Sequence, residues 1–389
     1  MNRLSQSFID EHNAEAKAVW EDYHRGINRR PPVFLGTNTP YLFFNDHLNP
    51  GGRIRMEEFA THARTMLDYQ LRWLAWRGEH IAPYCDDPIG LPDVFQVRVD
   101  IGTHEEAAYF GAPVAYYEDQ VPDARVILAG NRKRALFDAG FPDPLYGGLF
   151  KQLHETYDAM AELVAKKPTY LDRPIQILPF GHYTLGLLTL AVSLRGNEIF
   201  TDLYDDPEYI NQLLDFLNQA TINRIRAHRE FFGLPEMDNQ LFFADDSIQL
   251  ISGAMLRKLI LPRYKQLKAA NTDNPNVKMH LCGDATRHFK TLVDELGVNE
   301  FDTGFPVDFG KLRQTRGPDV IIWGGPSVMI LKDGTPDEVR AETLRVLNSG
   351  IFRGGRFVLR EGNNLPPRTP FQNLEAMYQT TRAWVDRET

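Results

Sequence analysis

Cysteine is scarce in this chain, because its 389 residues contain only Cys85 and Cys282. Two thiols are too few for the disulfide framework that stabilises small secreted domains. Long apolar stretches are also missing, and neither the N-terminus nor any later segment has the pattern of a signal peptide or a membrane span. These absences predict a cytoplasmic protein in which each cysteine is either a core thiol or a chemical group.

A surplus of basic residues is absent as well. Lysine and arginine total 43 against 52 aspartates and glutamates, which gives a formal net charge of -9. Proteins that bind nucleic acids concentrate positive charge on one face to meet the phosphates. The composition therefore argues against a nucleic-acid partner, and we expect a small-molecule substrate instead.

Short apolar runs alternate with amphipathic segments, which predicts an α/β fold. Near-continuous hydrophobicity is typical of parallel strands that are covered on both faces. No GxGxxG motif follows the first run, so a (β/α)8 TIM barrel is favoured and an open doubly wound sheet is the alternative. The candidate strands are 31 to 36, 80 to 85, 173 to 180, 240 to 246, 277 to 284, 299 to 305, 319 to 325 and 356 to 362.

The segment from 86 to 146 shows no helical pattern between its flanking elements. It contains the alternating or aromatic runs VFQVRVDI and APVAYYED, together with turn signals. We interpret it as a β-rich insertion after the second strand that covers the barrel mouth, where long insertions often shape a binding site. No Ser/Gly-rich linker divides the chain, so residues 1 to 389 are predicted to form a single barrel domain.

Polar residues follow most of the predicted strands. Catalytic groups of such barrels lie at the carboxyl ends of the strands. Helix caps also favour Asp and Asn, so each of these residues has a structural alternative. The strand ends carry Gly36-Thr37-Asn38, Cys85-Asp86-Asp87, Gly181-His182-Tyr183, Asp245-Asp246, His280-Leu281-Cys282, Asp302, Gly324-Gly325 and Glu361-Gly362-Asn363-Asn364.

One predicted strand carries both His280 and Cys282. Side chains two residues apart on a strand point to the same face. An imidazole nitrogen and a thiolate sulfur together suit zinc, whereas two buried bystanders are the alternative. A zinc site needs a third ligand, for which Glu361 at the end of the last strand is the preferred candidate. Cys85 is a further candidate, and Asp284 has the position of a helix N-cap.

Five stretches in the second half of the chain carry a family resemblance. They are LRGNEIFTDLYDDPEYINQLL (194 to 214), FFADDSIQLISGAMLRKLILPRYKQL (242 to 267), VKMHLCGD (277 to 284), GTPDEVRAET (334 to 343) and LPPRTPFQNLEAM (365 to 377). In this order they resemble the uroporphyrinogen decarboxylase superfamily, which includes the decarboxylase of haem synthesis and zinc-dependent corrinoid methyltransferases. The resemblance implies a (β/α)8 barrel and a homodimer.

Two departures separate the branches of that superfamily. The haem enzyme carries an arginine-rich signature after the first strand, but residues 35 to 46 read LGTNTPYLFFND and contain no arginine. The methyltransferases carry the HxC pair and a later cysteine, but residues 362 to 370 read GNNLPPRTP, so Asn363 occupies that place. An amide is a poor zinc ligand, which leaves either Glu361, the preferred candidate, or a residue that the sequence does not identify as the third ligand.

The resemblance implies a zinc-assisted methyl transfer between a small thiol, ether or amine and a corrinoid on a partner protein. Asp245 and Asp302 would then orient ligand histidines or the substrate.

A metal-independent decarboxylase is the alternative. In it Asp86 or Asp87 would hold a cationic ring while Tyr183 and His280 supply protons. A tetrapyrrole-binding barrel without catalysis is the second alternative. The candidates for substrate binding are Asn38, Asp86, Asp87, Arg287 and Asn363.

Overall fold

The computed structural model describes residues 4–37, 54–118 and 120–384. Its first half contains six helices in those ranges and five short strands. The helices are α1 Gln6–Arg25, α2 Met56–Thr61, α3 Ala63–His80, α4 Glu105–Tyr109, α5 Ala135–Ala139 and α6 Phe150–Lys166. The strands are β1 Phe95–Val97, β2 Val114–Ala115, β3 Asp123–Ala124, β4 Thr169–Tyr170 and β5 Arg173–Ile177.

In the second half the strands alternate with helices. The helices are α7 Leu187–Arg195, α8 Glu198–Asp205, α9 Pro207–Phe231, α10 Gly253–Met255, α11 Leu261–Asn271, α12 Phe289–Thr291, α13 Phe309–Arg316, α14 Val328–Asp333, α15 Pro336–Val346 and α16 Phe371–Ala383. The strands are β6 Leu241–Ala244, β7 Val277–Leu281, β8 Val298–Thr303, β9 Ile321–Gly324 and β10 Phe357–Leu359.

Five parallel strands form the largest sheet, in the order β10-β9-β8-β7-β6. At one edge Val33 bridges Leu359 of β10 in parallel, and at the other edge Thr184, which follows β5, bridges Phe243 of β6. Strand β5 pairs in parallel with β1 and antiparallel with β4. The parallel positions thus run from β1 through β5 and β6 to Val33, which is the order of a (β/α)8 barrel. Closure between Val33 and β1 remains a prediction.

The second predicted strand, 80 to 85, is wrong. Helix α3 continues to His80, and Ala82–Tyr84 then form a single 3₁₀ turn, because Pro83 fits the first turn of a helix. The strand that pairs with β5 is β1, which lies inside the segment predicted as an insertion. Beyond β1, the β structure of that segment is the two-residue pair of β2 with β3. Its role as a cover over the barrel mouth remains a prediction.

The core lies between the sheet and the helices that surround it. In β7 the residues Val277, Met279 and Leu281 are buried, and the intervening Lys278 and His280 are partly exposed on the other face. Helix α15 begins with a capping box in which Thr335 and Glu338 bond each other's backbone N–H groups. No helix in the described part of the chain has the length and apolarity to cross a bilayer.

Helices α6 and α9 bring two histidines together in an aromatic part of the core. His154 Nε2 lies 3.3 Å from His228 Nε2, and the rings of Phe150 and Phe180 pack against His228 at centroid distances of 5.2 and 5.5 Å. Burial, together with the charge of Arg224, lowers the pKa of His228 to about 3. The His228 ring is therefore neutral in the folded protein at ordinary pH.

The neutral state of His228 predicts a loss of stability in acid. The unfolded chain binds a proton near pH 6.5, but the folded chain binds it only near pH 3. The free energy of unfolding should thus be highest above pH 6.5 and fall below it by about 1.4 kcal/mol per pH unit from this group. Urea unfolding between pH 7 and pH 4 measures the slope. His228→Phe should reduce the slope of the free energy of unfolding against pH by about 1.4 kcal/mol per pH unit, which corresponds to one proton. The exposed His62→Gln is the control and should leave the slope unchanged. An unchanged slope in His228→Phe would contradict the assignment.

Candidate metal centre

The register of three neighbouring strands, β6, β7 and β8, places the residues of the candidate site next to one another. In the parallel register Ala244 of β6 pairs with His280 of β7, and His280 pairs with Asp302 of β8. His280 Nδ1 lies 2.9 Å from Asp302 Oδ2, and His280 Nε2 lies 3.1 Å from Cys282 Sγ. The two nitrogens of one imidazole therefore face a carboxylate on one side and a thiol on the other.

Asp246 completes a cluster with this pair. It follows the end of β6, its Oδ1 accepts a hydrogen bond of 2.7 Å from the backbone N–H of Cys282, and it lies 3.9 Å from His280 Nε2. One ligand atom each from Asp246, His280 and Cys282 lies within 4.8 Å of the others. The sequence placed Asp246 at a strand end next to the HxC strand, but it gave no sign that this residue, and not Asp245, approaches the thiol.

The electrostatics of the pair follow from its neighbours. Burial lowers the pKa of His280, but its hydrogen bonds to Asp302 and Cys282 outweigh burial and raise that pKa to about 10. For Asp302, burial raises the pKa, while the bond to His280 and the charge of Arg360 bring it below its ordinary value. Without an ion, His280 is therefore a cation held between Asp302 and Cys282.

Arg360 links this cluster to the end of β10. Its guanidinium donates to Asp302 Oδ2 at 2.8 Å, to Glu361 Oε1 at 2.5 Å and to the Asn363 carbonyl at 2.6 Å. The side chain is almost wholly buried, so these acceptors take the place of its hydration. Arg360 therefore fixes the carboxylate that orients His280.

Glu361, the expected third ligand, is not one of the three residues in the cluster. It is fully buried, and both of its carboxylate oxygens accept the backbone N–H of Gly36 at 3.1 Å, while Arg360 donates to one of them. Burial raises its pKa to about 7, although Arg360 opposes that shift. The alternation of strand faces suggested Glu361, but it could not show that the neighbouring arginine holds this carboxylate. Cys85, the other candidate, is fully buried with its thiol toward the Ile81 and Ala82 carbonyls.

Asp245 has a different role from its neighbour Asp246. It is fully buried and accepts bonds from the backbone N–H groups of Leu188 and Thr189 at 2.8 Å, from the Thr189 hydroxyl at 2.8 Å and from the Tyr264 hydroxyl at 2.7 Å. Burial raises its pKa to about 6 despite these donors. The Asp245 carboxylate thus joins the end of β6 to the first turn of α7, while its backbone N–H donates to the His280 carbonyl at 3.4 Å.

The two aspartates assigned to substrate binding bond to neighbouring parts of the fold. Asp86 is 1% exposed and receives two hydrogen bonds from Arg30, one from the Val33 N–H and one from the Tyr378 hydroxyl. These contacts give it a structural role, joining the segment around Val33 to α16. Asp87 forms an ion pair of 2.5 Å with Arg77.

Tyr183 follows β5, and its hydroxyl donates to Glu105 Oε2 at 2.6 Å. Glu105 is 2% exposed, and its pKa is raised to about 7 by burial and by the neighbouring Glu106. Glu106 in turn pairs with the buried Arg224. This acidic pair near the end of β5 was missed by the sequence analysis, because its residues follow β1 in a segment predicted as an insertion.

The remaining candidates are dispersed. Arg287 is exposed, and Asn363 contributes its backbone carbonyl to Arg360. Asn38 lies outside the described residues.

The cluster of nitrogen, sulfur and oxygen atoms lies at the carboxyl ends of parallel strands. Barrel enzymes place their catalytic groups there, and this set of atoms is one that can bind a metal ion. The family model described as uroporphyrinogen decarboxylase (URO-D) matches residues 93–384. The chain therefore belongs to the uroporphyrinogen decarboxylase family.

Curated relatives come from both branches of the family. The chain is 26% identical over 208 residues to the methylcobamide:CoM methyltransferase MtbA of Methanosarcina acetivorans, covering 53% of this chain and 58% of that protein. It is 23% identical over 228 residues to the uroporphyrinogen decarboxylase of Novosphingobium aromaticivorans, covering 57% and 65%. These alignments span less than two thirds of each relative.

A solved methyltransferase from Methanosarcina mazei has the same fold over nearly the whole chain. The TM-score is 0.63 at 18% identity, with 94% of this chain and 98% of that chain covered. This similarity shows the fold and leaves the reaction open.

The contrast between the adjacent aspartates predicts losses of stability of different size. Asp245→Ala should lower the free energy of unfolding by about 3 kcal/mol, because it leaves several buried donors without an acceptor. The matched Asp246→Ala removes a carboxylate whose side chain is 41% exposed and should cost less than about 1 kcal/mol. Urea unfolding of both variants measures the difference, and equal losses would refute the structural role of Asp245.

Proposed function

We propose that this chain catalyses zinc-assisted methyl transfer between a small thiol, ether or amine and a corrinoid carried by a partner protein. The observation that carries the proposal is the convergence of His280 and Cys282 with a carboxylate at the carboxyl ends of neighbouring strands. The similarity to a methylcobamide:CoM methyltransferase supports the choice of reaction.

The donor set fits zinc. Catalytic zinc sites use three protein ligands from Cys, His and carboxylate side chains and keep one position open. Histidine ligands commonly donate the N–H of their second ring nitrogen to a carboxylate, which fixes the tautomer. Asp302 stands in that relation to His280, since it bonds Nδ1 and leaves Nε2 toward Cys282.

The side chains of this site have separable tasks. Bound zinc would act as a Lewis acid that lowers the pKa of a substrate thiol or hydroxyl, or polarises an ether or amine. Asp302 holds a proton on His280 Nδ1, so that Nε2 can offer its lone pair to the ion. Arg360 fixes Asp302 from the side of β10. His280 and Cys282 would bind the ion.

Metal-independent decarboxylation has less support. Asp86, which was expected to hold a cationic ring, is buried in contacts with Arg30, Val33 and Tyr378. The hydrogen-bonded Tyr183 and Glu105 could supply a proton, and the decarboxylase relative keeps this reaction as the second candidate. Release of carbon dioxide from a carboxylated tetrapyrrole without zinc would identify it.

Metal analysis of the purified chain tests the first candidate. We expect about one zinc per chain, lost in Cys282→Ser and in His280→Ala, because each change removes one of a small number of ligands. Cys85→Ala is the matched control, since Cys85 is fully buried and should leave the zinc content unchanged.

Methyl transfer is measured with free methylcobalamin and a panel of small thiols, alcohols and amines, by the change in corrinoid absorbance. We expect turnover in the zinc-loaded wild type and Cys85→Ala, and at least a 100-fold loss in Cys282→Ser, which corresponds to about 2.7 kcal/mol of lost transition-state stabilisation. Equal turnover after complete zinc removal would contradict the proposal.

A further inference from the structure

Three carboxylates of the strand ends, those of Glu361, Asp245 and Asp302, are already bonded to other groups of the protein. Glu361 is buried against Gly36 and Arg360. Asp245 is saturated by donors from α7 and Tyr264. Asp302 bonds the ring nitrogen of His280 that faces away from Cys282.

Asp246 differs from these three carboxylates in its contacts. Among the described residues, the backbone N–H of Cys282 is its only hydrogen-bond donor, and it reaches Oδ1 alone. Its side chain is 41% exposed, whereas that of Glu361 is fully buried. Asp246 therefore has an oxygen available to an ion, on a side chain that solvent reaches.

Neighbouring contacts hold Asp246 in this place. The bonds of Asp245 fix the end of β6 against α7, and the adjacent residue then turns toward β7 at the start of a 3₁₀ turn, Asp246–Leu250. In the same turn Gln249 accepts the backbone N–H of Asp284 at 3.2 Å. The turn is thus attached to β7 on both sides of Gly283, at Cys282 and at Asp284.

We propose that Asp246 is the third protein ligand of the zinc site, so that the ion is held by one imidazole nitrogen, one thiolate sulfur and one carboxylate oxygen. This inference rests on the proposed zinc dependence and specifies its ligand set. With neutral His280, the thiolate and the carboxylate cancel the two charges of the ion. A single thiolate also makes the site harder than one built from two sulfurs, and so more favourable to oxygen ligands in the open position.

Zinc affinity, measured by competition with a chromophoric chelator, tests the assignment without reference to catalysis. Asp246→Asn keeps the shape of the side chain and should weaken binding by more than the roughly 10- to 100-fold that an outer partner of a ligand is worth. Glu361→Gln is the matched control at the competing position and should change the affinity less than Asp246→Asn does. Asp246→Cys supplies a different ligand atom at the same position and should bind zinc more tightly than Asp246→Asn does.

Cobalt(II) substitution gives a second, spectroscopic measure of the ligand set. The wild type should show thiolate-to-cobalt absorbance of one sulfur, Asp246→Cys about twice that intensity, and Cys282→Ser none. Wild-type zinc affinity in Asp246→Asn, or a loss that appears in Glu361→Gln instead, would overturn the assignment. A protein that binds zinc through Asp246 but transfers no methyl group would refute the proposed function alone.

Discussion

The parallel register of β6, β7 and β8 is the constraint on which the site depends. It places Ala244, His280 and Asp302 at one level, so that a carboxylate from β8 meets one nitrogen of the imidazole. A shift of β8 by one residue would turn Asp302 to the other face of the sheet and leave His280 without its partner. The orientation of His280 is thus set by backbone hydrogen bonding along the sheet, which is stronger in sum than any one side-chain contact.

The adjacent residues Asp245 and Asp246, which follow β6, have different roles: the first joins parts of the fold, and the second faces the candidate site. Asp245 receives its donors from α7 and Tyr264 and is sealed from solvent. Asp246 points the other way, toward the backbone of Cys282. Asp245 lies between the end of β6 and the 3₁₀ turn Asp246–Leu250, so the chain changes direction here and the two carboxylates face different neighbours.

Much of the fold could be predicted from the sequence, because strands covered on both faces are continuous apolar runs. Each predicted run from 240 onward overlaps an observed strand, β6 to β10. The second strand was misplaced because β1 alternates, with Gln96 exposed between buried neighbours, and therefore resembles a surface strand. The segment HIAPYC, 80 to 85, is apolar as well, but it contains the last residue of α3 and the 3₁₀ turn Ala82–Tyr84.

The site could be predicted only for His280 and Cys282, which are two residues apart at the end of β7. Period-two alternation places His280 and Cys282 on one face without any knowledge of the fold. The third group depends on contacts between strands far apart in sequence, and no local pattern distinguishes Glu361 from Asp246. What separates them is Arg360, which holds Glu361 inside the protein.

Arg360 also sets the charge around the proposed zinc position. It faces two carboxylates with a single positive charge, and the two respond differently. The pKa of Asp302 is lowered, while burial raises that of Glu361 to about 7, so the anion is retained on Asp302, next to His280. That anion favours a proton on Nδ1 of His280. An ion bound at Nε2, as proposed, would displace the proton there while Nδ1 keeps the proton bonded to Asp302, so zinc binding would be coupled to proton release.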